Sequence, residues 1–452
     1  MLSRLAAYAR LWVSPARRSL VWITAGVIVS TAASFLVAIL TARGMSPSDR
    51  GAFLQIQAML AIAALLSQGG MGLPIISLAN GSVTVSDALV RRTRGLVWTV
   101  TAIASLACSY WSVQQLPGTT ASTAALGLVV LATTPLMVLG NRMLIRTRVQ
   151  EDYPVLGIAS ALPTGIPAVI NSVLYATGDL TPLTALAAFL IGVLAIVALV
   201  WSRERFHPPC TADTATRGEE AHLSDRREVL RLGLLDLLAF GPSSVTGRLE
   251  IIVIGATLSA AAASEFAVAA SLSSPMGLLS TTLYSYFGSR YASAARAQRP
   301  RLLRMGLQYT LIAAAGISVV AIAAAIPLVP ILYGEQYASA VAPGAVLAMA
   351  GIASTVGLVA SLALRLERRY TVVLVTSYLP LVAVLTVGWV AAKQYGLMGF
   401  ALVLGVIAVL EAAAAVVIAI RESRKPKADS DASSAPPGIA EMAKDDSGAG
   451  SD

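Results

Sequence analysis

Of the 33 lysines and arginines in this chain, 29 fall in alternate gaps between twelve long apolar segments or at the two chain ends. Three, Arg43, Arg50 and Lys393, fall in or at the edge of the other gaps, and one, Arg248, lies deep inside an apolar segment. Loops that carry Lys and Arg are retained on the cytoplasmic side, because their translocation is opposed. The alternation therefore predicts an all-α polytopic membrane protein with both ends inside. A crossing helix needs roughly 20 apolar residues to span about 30 Å of hydrocarbon. The segments meet that length, running about 20–43, 52–79, 95–115, 122–144, 154–176, 181–202, 232–258, 264–288, 306–333, 340–364, 370–392 and 397–420.

Composition excludes the competing classes. With 56% hydrophobic and 13% charged residues, the chain is far from a soluble globule of about 25% charged residues. The formal charge of +9 would suggest nucleic acid in a soluble protein. In this chain it is the topological bias and a complement to anionic headgroups, and no basic patch interleaved with aromatics accompanies it. The two cysteines, Cys108 in a span and Cys210 in an inner gap, predict neither a disulfide nor a metal site, and no cofactor is expected. Arg17 and Arg18 superficially resemble a twin-arginine signal. The apolar run that follows exceeds an h-region of about 7 to 15 residues and lacks a clear cleavage site, so it is read as a retained first span.

The organisation follows from the gaps. Residues 1–19 form an inner N-terminal segment, 20–202 a first group of six spans, 203–231 a hydrophilic connector holding His207 and His222, and 232–420 a second group of six. Residues 421–452 begin basic and continue in Ser, Asp, Ala, Pro and Gly, a composition that cannot bury a core and is expected to be disordered. Outer gaps are short and leave no room for an external domain. Sliding the chain by 213 residues lays Met45-Ser46 on Leu258-Ser259, Phe53 on Phe266 and Leu65-Leu66-Ser67 on Leu278-Leu279-Ser280. Six is an even number, so the repeat would be parallel, a common construction among transporters.

Several stretches also resemble a known family. Leu40-Thr41-Ala42-Arg43-Gly44-Met45-Ser46-Pro47 through Phe53 is similar to the "ARxLGPxxxGxF" junction between the first two spans of Wzx-type flippases. These belong to the multidrug, oligosaccharidyl-lipid and polysaccharide (MOP) exporter superfamily. Gln68-Gly69-Gly70-Met71-Gly72-Leu73 resembles the family's "DLGLG", and Leu332 to Tyr337 and Tyr395 to Ala401 match further on. The resemblance covers nearly the whole chain in order and spacing. It implies two six-helix lobes flanking a central cavity that opens alternately to either side, in a bacterial-type cell membrane. The implied cargo is a polyprenyl-diphosphate-linked glycan, with a coupling proton or sodium ion and glycan polymerase or assembly proteins as partners. The chain departs from the family at Ser259 to Ser264, where a second Gly-Pro junction would be typical, and in having few cavity charges.

Charges retained within spans cost at least a few kcal/mol and point to a partner or a wet cavity. Span seven holds Asp236, then Gly241-Pro242, which should loosen the helix, then Arg248 and Glu250. On the functional reading Arg248 attracts a diphosphate or anionic sugar while Glu250 tunes it. The alternative is snorkelling into headgroups, and residues two apart do not face each other on a helix. Glu411 in span twelve is a candidate for ion coupling. Gln55, Gln57, Gln68, Asn141, Arg142 and Asn171 are candidates to bond sugar hydroxyls, with interhelical glue as the alternative. The leading function is a lipid-linked oligosaccharide flippase, ahead of a MATE-like drug exporter. A membrane-embedded glycosyltransferase or ligase ranks lower, because acid-base or phosphate chemistry needs functional side chains in sizeable loops.

Overall fold

The computed structural model describes residues 15–72, 75–76, 83–116, 120–150, 152–206, 226–277, 279–280, 283, 287, 291, 298–367 and 369–423. The N-terminal segment up to residue 14, the connector from 207 to 225 with Cys210 and both histidines, and the tail from 424 lie outside these. The first half comprises α1 (Pro15–Gly44), α2 (Pro47–Gln68), α3 (Val83–Gln115), α4 (Thr120–Val149), α5 (Tyr153–Thr177) and α6 (Pro182–Phe206). The second comprises α7 (Arg226–Thr257), α8 (Ala260–Ser271), α9 (Arg299–Tyr333), α10 (Val341–Leu366), α11 (Tyr370–Ala383) and α12 (Trp389–Ser423). A 3-10 turn, Glu335–Ala340, joins α9 to α10, and a π-helical turn, Val384–Gly388, joins α11 to α12.

Among the described residues, nine helical stretches are long and apolar enough to cross a membrane. The longest, Thr371–Ser423, is broken at Gly396 (φ 64°, ψ −155°), a conformation that only glycine adopts readily, and so holds two crossings. The 32-residue α7 is more polar, and α8 opens the eighth crossing. The fold is thus the all-α bundle of two six-helix lobes. Boundaries differ from the apolar runs where helices outlast the hydrocarbon: α3 begins at Val83, so Arg91, Arg92 and Arg94 are helical rather than in a loop. The second span ends earlier than its apolar run, at Gln68, where Gly69 turns left-handed (φ 55°). Pro242 lies within α7 without ending it.

The lobes repeat one packing order. In the first, α1 packs on α5, α5 on α6, α6 on α4 and α4 on α3; in the second, α7 packs on α11, α11 on α12, α12 on α10 and α10 on α9. Two of the pairs that align at 213-residue spacing also do the same jobs. Ser46 caps α2 by accepting from the Asp49 N–H (3.1 Å), and Ser259 caps α8 by accepting from the Ala262 N–H (3.1 Å). Phe53 and Phe266 are each 1% exposed. Many hydroxyls inside the lobes, such as those of Thr101, Ser105 and Ser112, donate to the carbonyl four residues earlier, so they are buried without an unpaired donor.

Candidate functional site: an inter-lobe clasp and an acid-lined cavity

The lobes meet where α2 packs on α7 and α8. On the face that the arginine bias makes the outer one, the contact is built around Arg50, in the first turn of α2 and only 2% exposed. Its Nη1 donates to the Ser264 carbonyl and the Ser264 Oγ on α8, both at 3.1 Å. Its guanidinium lies 5.3 Å and 5.9 Å from the ring centres of Tyr337 and Tyr333. The Tyr337 hydroxyl pairs with Ser264 Oγ at 2.9 Å and the Tyr333 hydroxyl with Ser271 Oγ at 3.2 Å, while Phe35 of α1 packs edge-on against Tyr333. No carboxylate pairs with Arg50 among the described residues. Its charge is held instead by a carbonyl, a hydroxyl and two aromatic faces, an arrangement suited to the weakly hydrated guanidinium.

Two further contacts extend this clasp. Arg43 at the end of α1 donates to the Ile331 and Leu332 carbonyls at the end of α9, and the Gln336 side-chain amide donates to the Ala42 carbonyl (3.2 Å). Gly51 lies directly against the Ala260 backbone, leaving no room for a Cβ. The Ser259 to Ser264 stretch, which departs from the family pattern, supplies small residues where α2 comes closest. Arg43 and Arg50 are two of the three bases that the topology rule leaves outside, and both tie one lobe to the other. The third, Lys393, sits 5.6 Å over the Trp389 ring.

Arg248, the basic residue within a span, is exposed and has no ion pair or hydrogen bond among the described residues. Its direction follows from helical spacing. Gly233 packs on Met71, just past the end of α2, and Gly255 on Gln55 within it. Position 248 is seven residues, about two turns at 3.6 residues each, from Gly255, so the two share one face of α7. Arg248 therefore lies on the face turned toward the first lobe, between two points of contact.

Glu250 points the other way, into the second lobe. It lines a cavity of about 570 Å³ together with Glu411 from α12 and the hydroxyls of Ser273, Ser280, Ser354 and Thr355. Ser280 donates to Thr355 (3.2 Å), which in turn donates to the Gly351 carbonyl (2.8 Å). Among the described residues neither carboxylate has an ion pair or hydrogen bond, and no Lys or Arg lines this space. Two isolated span acids thus share one low-dielectric compartment, an arrangement that favours a proton or a small cation. No cluster of three or more His, Cys, Asp or Glu residues occurs among the described residues.

The remaining candidates do not converge on it. Asp236 lies toward the inner end of α7, and its side chain is outside the description. Gln55, 2% exposed, donates to the Gly51 carbonyl (3.4 Å) and packs on Gly255. Gln57 and Gln68 are half-buried on α2, and Asn141 is exposed on α4. Asn171 is 1% exposed on α5, and neither side-chain amide atom has a protein partner. Arg142 donates to the Val90 carbonyl and to Thr93 Oγ1 (3.1 Å), between α3 and α4. Sequence reasoning passed over Arg50 as a loop residue. Its signal was its place in the repeat, where the aligned residue is Ala263.

No protein-family model matches the sequence, and neither does any curated protein. Solved structures do match. An inward-facing multidrug resistance MATE family transporter of the MOP superfamily is similar at TM-score 0.66 and 15% identity, over 91% of this chain and 100% of that one. The outward-facing form of a MATE family transporter of the same superfamily matches at TM-score 0.60 and 15% identity, over 90% and 95%. A MATE in complex with MaL6 matches at 0.61 and 15%, over 90% and 96%. At these identities the likeness is one of fold: the chain has the two-lobe helical architecture of MATE transporters.

Proposed function

We propose that this chain is a cell-membrane flippase that carries a polyprenyl-diphosphate-linked glycan precursor from the inner to the outer leaflet by alternating access. The observation that carries the reading is Arg248: an unpaired guanidinium on the face of α7 turned toward the opposite lobe, part-way between two contacts with α2. A guanidinium binds phosphate oxygens bidentately, and a diphosphate would offset the cost of keeping that charge within a span. The clasp of Arg43, Arg50 and Gln336 closes the outer side in the loading state. Uptake of a proton or sodium ion by the Glu250 and Glu411 cavity drives the rearrangement of the second lobe that releases it. The connector at 203–231 links the lobes, and both termini remain inside.

A second reading is favoured by that same cavity. Two carboxylates without a basic neighbour would also suit a cationic solute, as in a MATE-like drug exporter. Replacing Arg248 with Gln and measuring glycan export decides between them. The flippase requires export to fall at equal protein level, whereas unchanged export removes Arg248 from the transport path and leaves the exporter reading in front.

A further inference from the structure

At three places the inner helix ends neutralise arginines in pairs: Arg203 with Asp152 (2.9 Å), Arg299 with Glu367 (2.8 Å) and Arg369 with Glu422 (2.7 Å). The α3–α4 hairpin does otherwise. Asp87, Arg91, Arg94 and Trp98 recur on α3 at steps of four, three and four residues, one stripe of a helix. Arg142 and Arg146, four apart on α4, face the same stripe across a groove of about 310 Å³. One carboxylate, Asp87, lies in it, 3.9 Å from Arg146. Arg91, Arg94 and Arg142 have no ion pair among the described residues.

Topological bias accounts for arginines at this level, but it does not account for their convergence. Arg92 and Arg148 satisfy the same bias and stay out of the groove. Arg142 sits more than a turn deeper than Arg148, and its bonds to the Val90 carbonyl and Thr93 Oγ1 pin it across the helix seam. Trp98 lies on the membrane side of the stripe, about 16 Å along the helix from Asp87 at 1.5 Å per residue. A cluster of guanidinia at one end, with Arg142 held in place, and an indole at the other match a phosphate group whose attached chains continue into the bilayer.

We infer that the α3–α4 groove is a binding site for a phosphate headgroup of net negative charge at the inner leaflet. It lies on the first lobe and is distinct from the acid-lined cavity, so it does not depend on which cargo is moved. The phosphate has two sources, an anionic phospholipid or a free phosphate compound.

The test is thermal unfolding of the purified full-length protein in neutral detergent with added phosphatidylglycerol, phosphatidylcholine or inorganic pyrophosphate. Phosphatidylglycerol is expected to raise the midpoint by a few degrees, as any ligand selective for the folded state does, and phosphatidylcholine is not. The Arg91→Gln/Arg94→Gln variant removes two groove arginines that make no hydrogen bond among the described residues, and it should keep the basal midpoint while losing the shift. Arg92→Gln/Arg148→Gln removes the same charge outside the groove and should keep the shift. A comparable shift with pyrophosphate identifies free phosphate as sufficient, and a shift with phosphatidylglycerol alone identifies the lipid. No shift in the parent protein, or equal loss in both double variants, overturns the proposal.

Discussion

Replacing Arg50 with Gln tests whether the clasp holds the outer side shut. The substitution removes a buried guanidinium with two bonds to Ser264 and two aromatic contacts. A hydrogen bond to a charged group contributes about 1.5 to 3 kcal/mol. A desolvated cation–π contact adds roughly 0.5 to 2 kcal/mol. Burying the charge opposes these gains, and because it is paired only with neutral groups that penalty is not small. Glutamine can also retain one weaker bond to Ser264. After those offsets, a net change of about 2 kcal/mol, well below the gross sum of the contacts, shifts the balance between closed and open outer sides roughly 30-fold. Spin labels at Ser48 and Ser339, exposed positions on the outer ends of opposite lobes, would report the separation by double electron–electron resonance. The parent should show one short distance, and Arg50→Gln a substantial longer population. An unchanged distribution in a variant that melts at the parental temperature would refute the reasoning, because the buried arginine would then contribute equally to both states.

Other substitutions probe separate parts of the account. Gly51→Val places a side chain against the Ala260 backbone, so the outer side should fail to close, lengthening the same label distance and abolishing turnover. Glu411→Gln should leave transport insensitive to an imposed ion gradient, and so should Glu250→Gln; gradient-driven transport that persists in both removes the cavity from coupling. Gly396→Ala forces an L residue into φ 64°, ψ −155°, with an expected stability loss of about 1 to 3 kcal/mol, read as a lower melting midpoint in detergent.

The arginine alternation predicts the topology, and the apolar runs mark the long helices of the described residues, because both are local consequences of moving a chain through a bilayer. The repeat was legible at residues with local work: Ser46 and Ser259 as caps, Phe53 and Phe266 as packed aromatics. The site was less legible. Arg248 stands out because it breaks a rule. Arg50 looks like an ordinary outer-loop base, since its partner Ser264 is 214 residues away and both tyrosines come from the far lobe. Glu250 and Glu411 each appear as an isolated acid, and only the packing of α7 near α12 joins them. The α3 stripe of Asp87, Arg91, Arg94 and Trp98 is periodic in the sequence, but its facing partners on α4 required the hairpin to be seen folded.

The central claim is tested most directly by reconstituting the chain in liposomes loaded with a fluorescent polyprenyl-diphosphate oligosaccharide and following, with an impermeant quencher, how fast that lipid changes leaflet. Flipping should exceed that of protein-free vesicles and accelerate under an imposed proton or sodium gradient. It should fall roughly 10- to 150-fold in Arg248→Gln, the equivalent of losing about 1.5 to 3 kcal/mol of charge-assisted bonding. Flipping no faster than in empty vesicles, together with gradient-driven movement of an organic cation by the same preparation, would contradict the account.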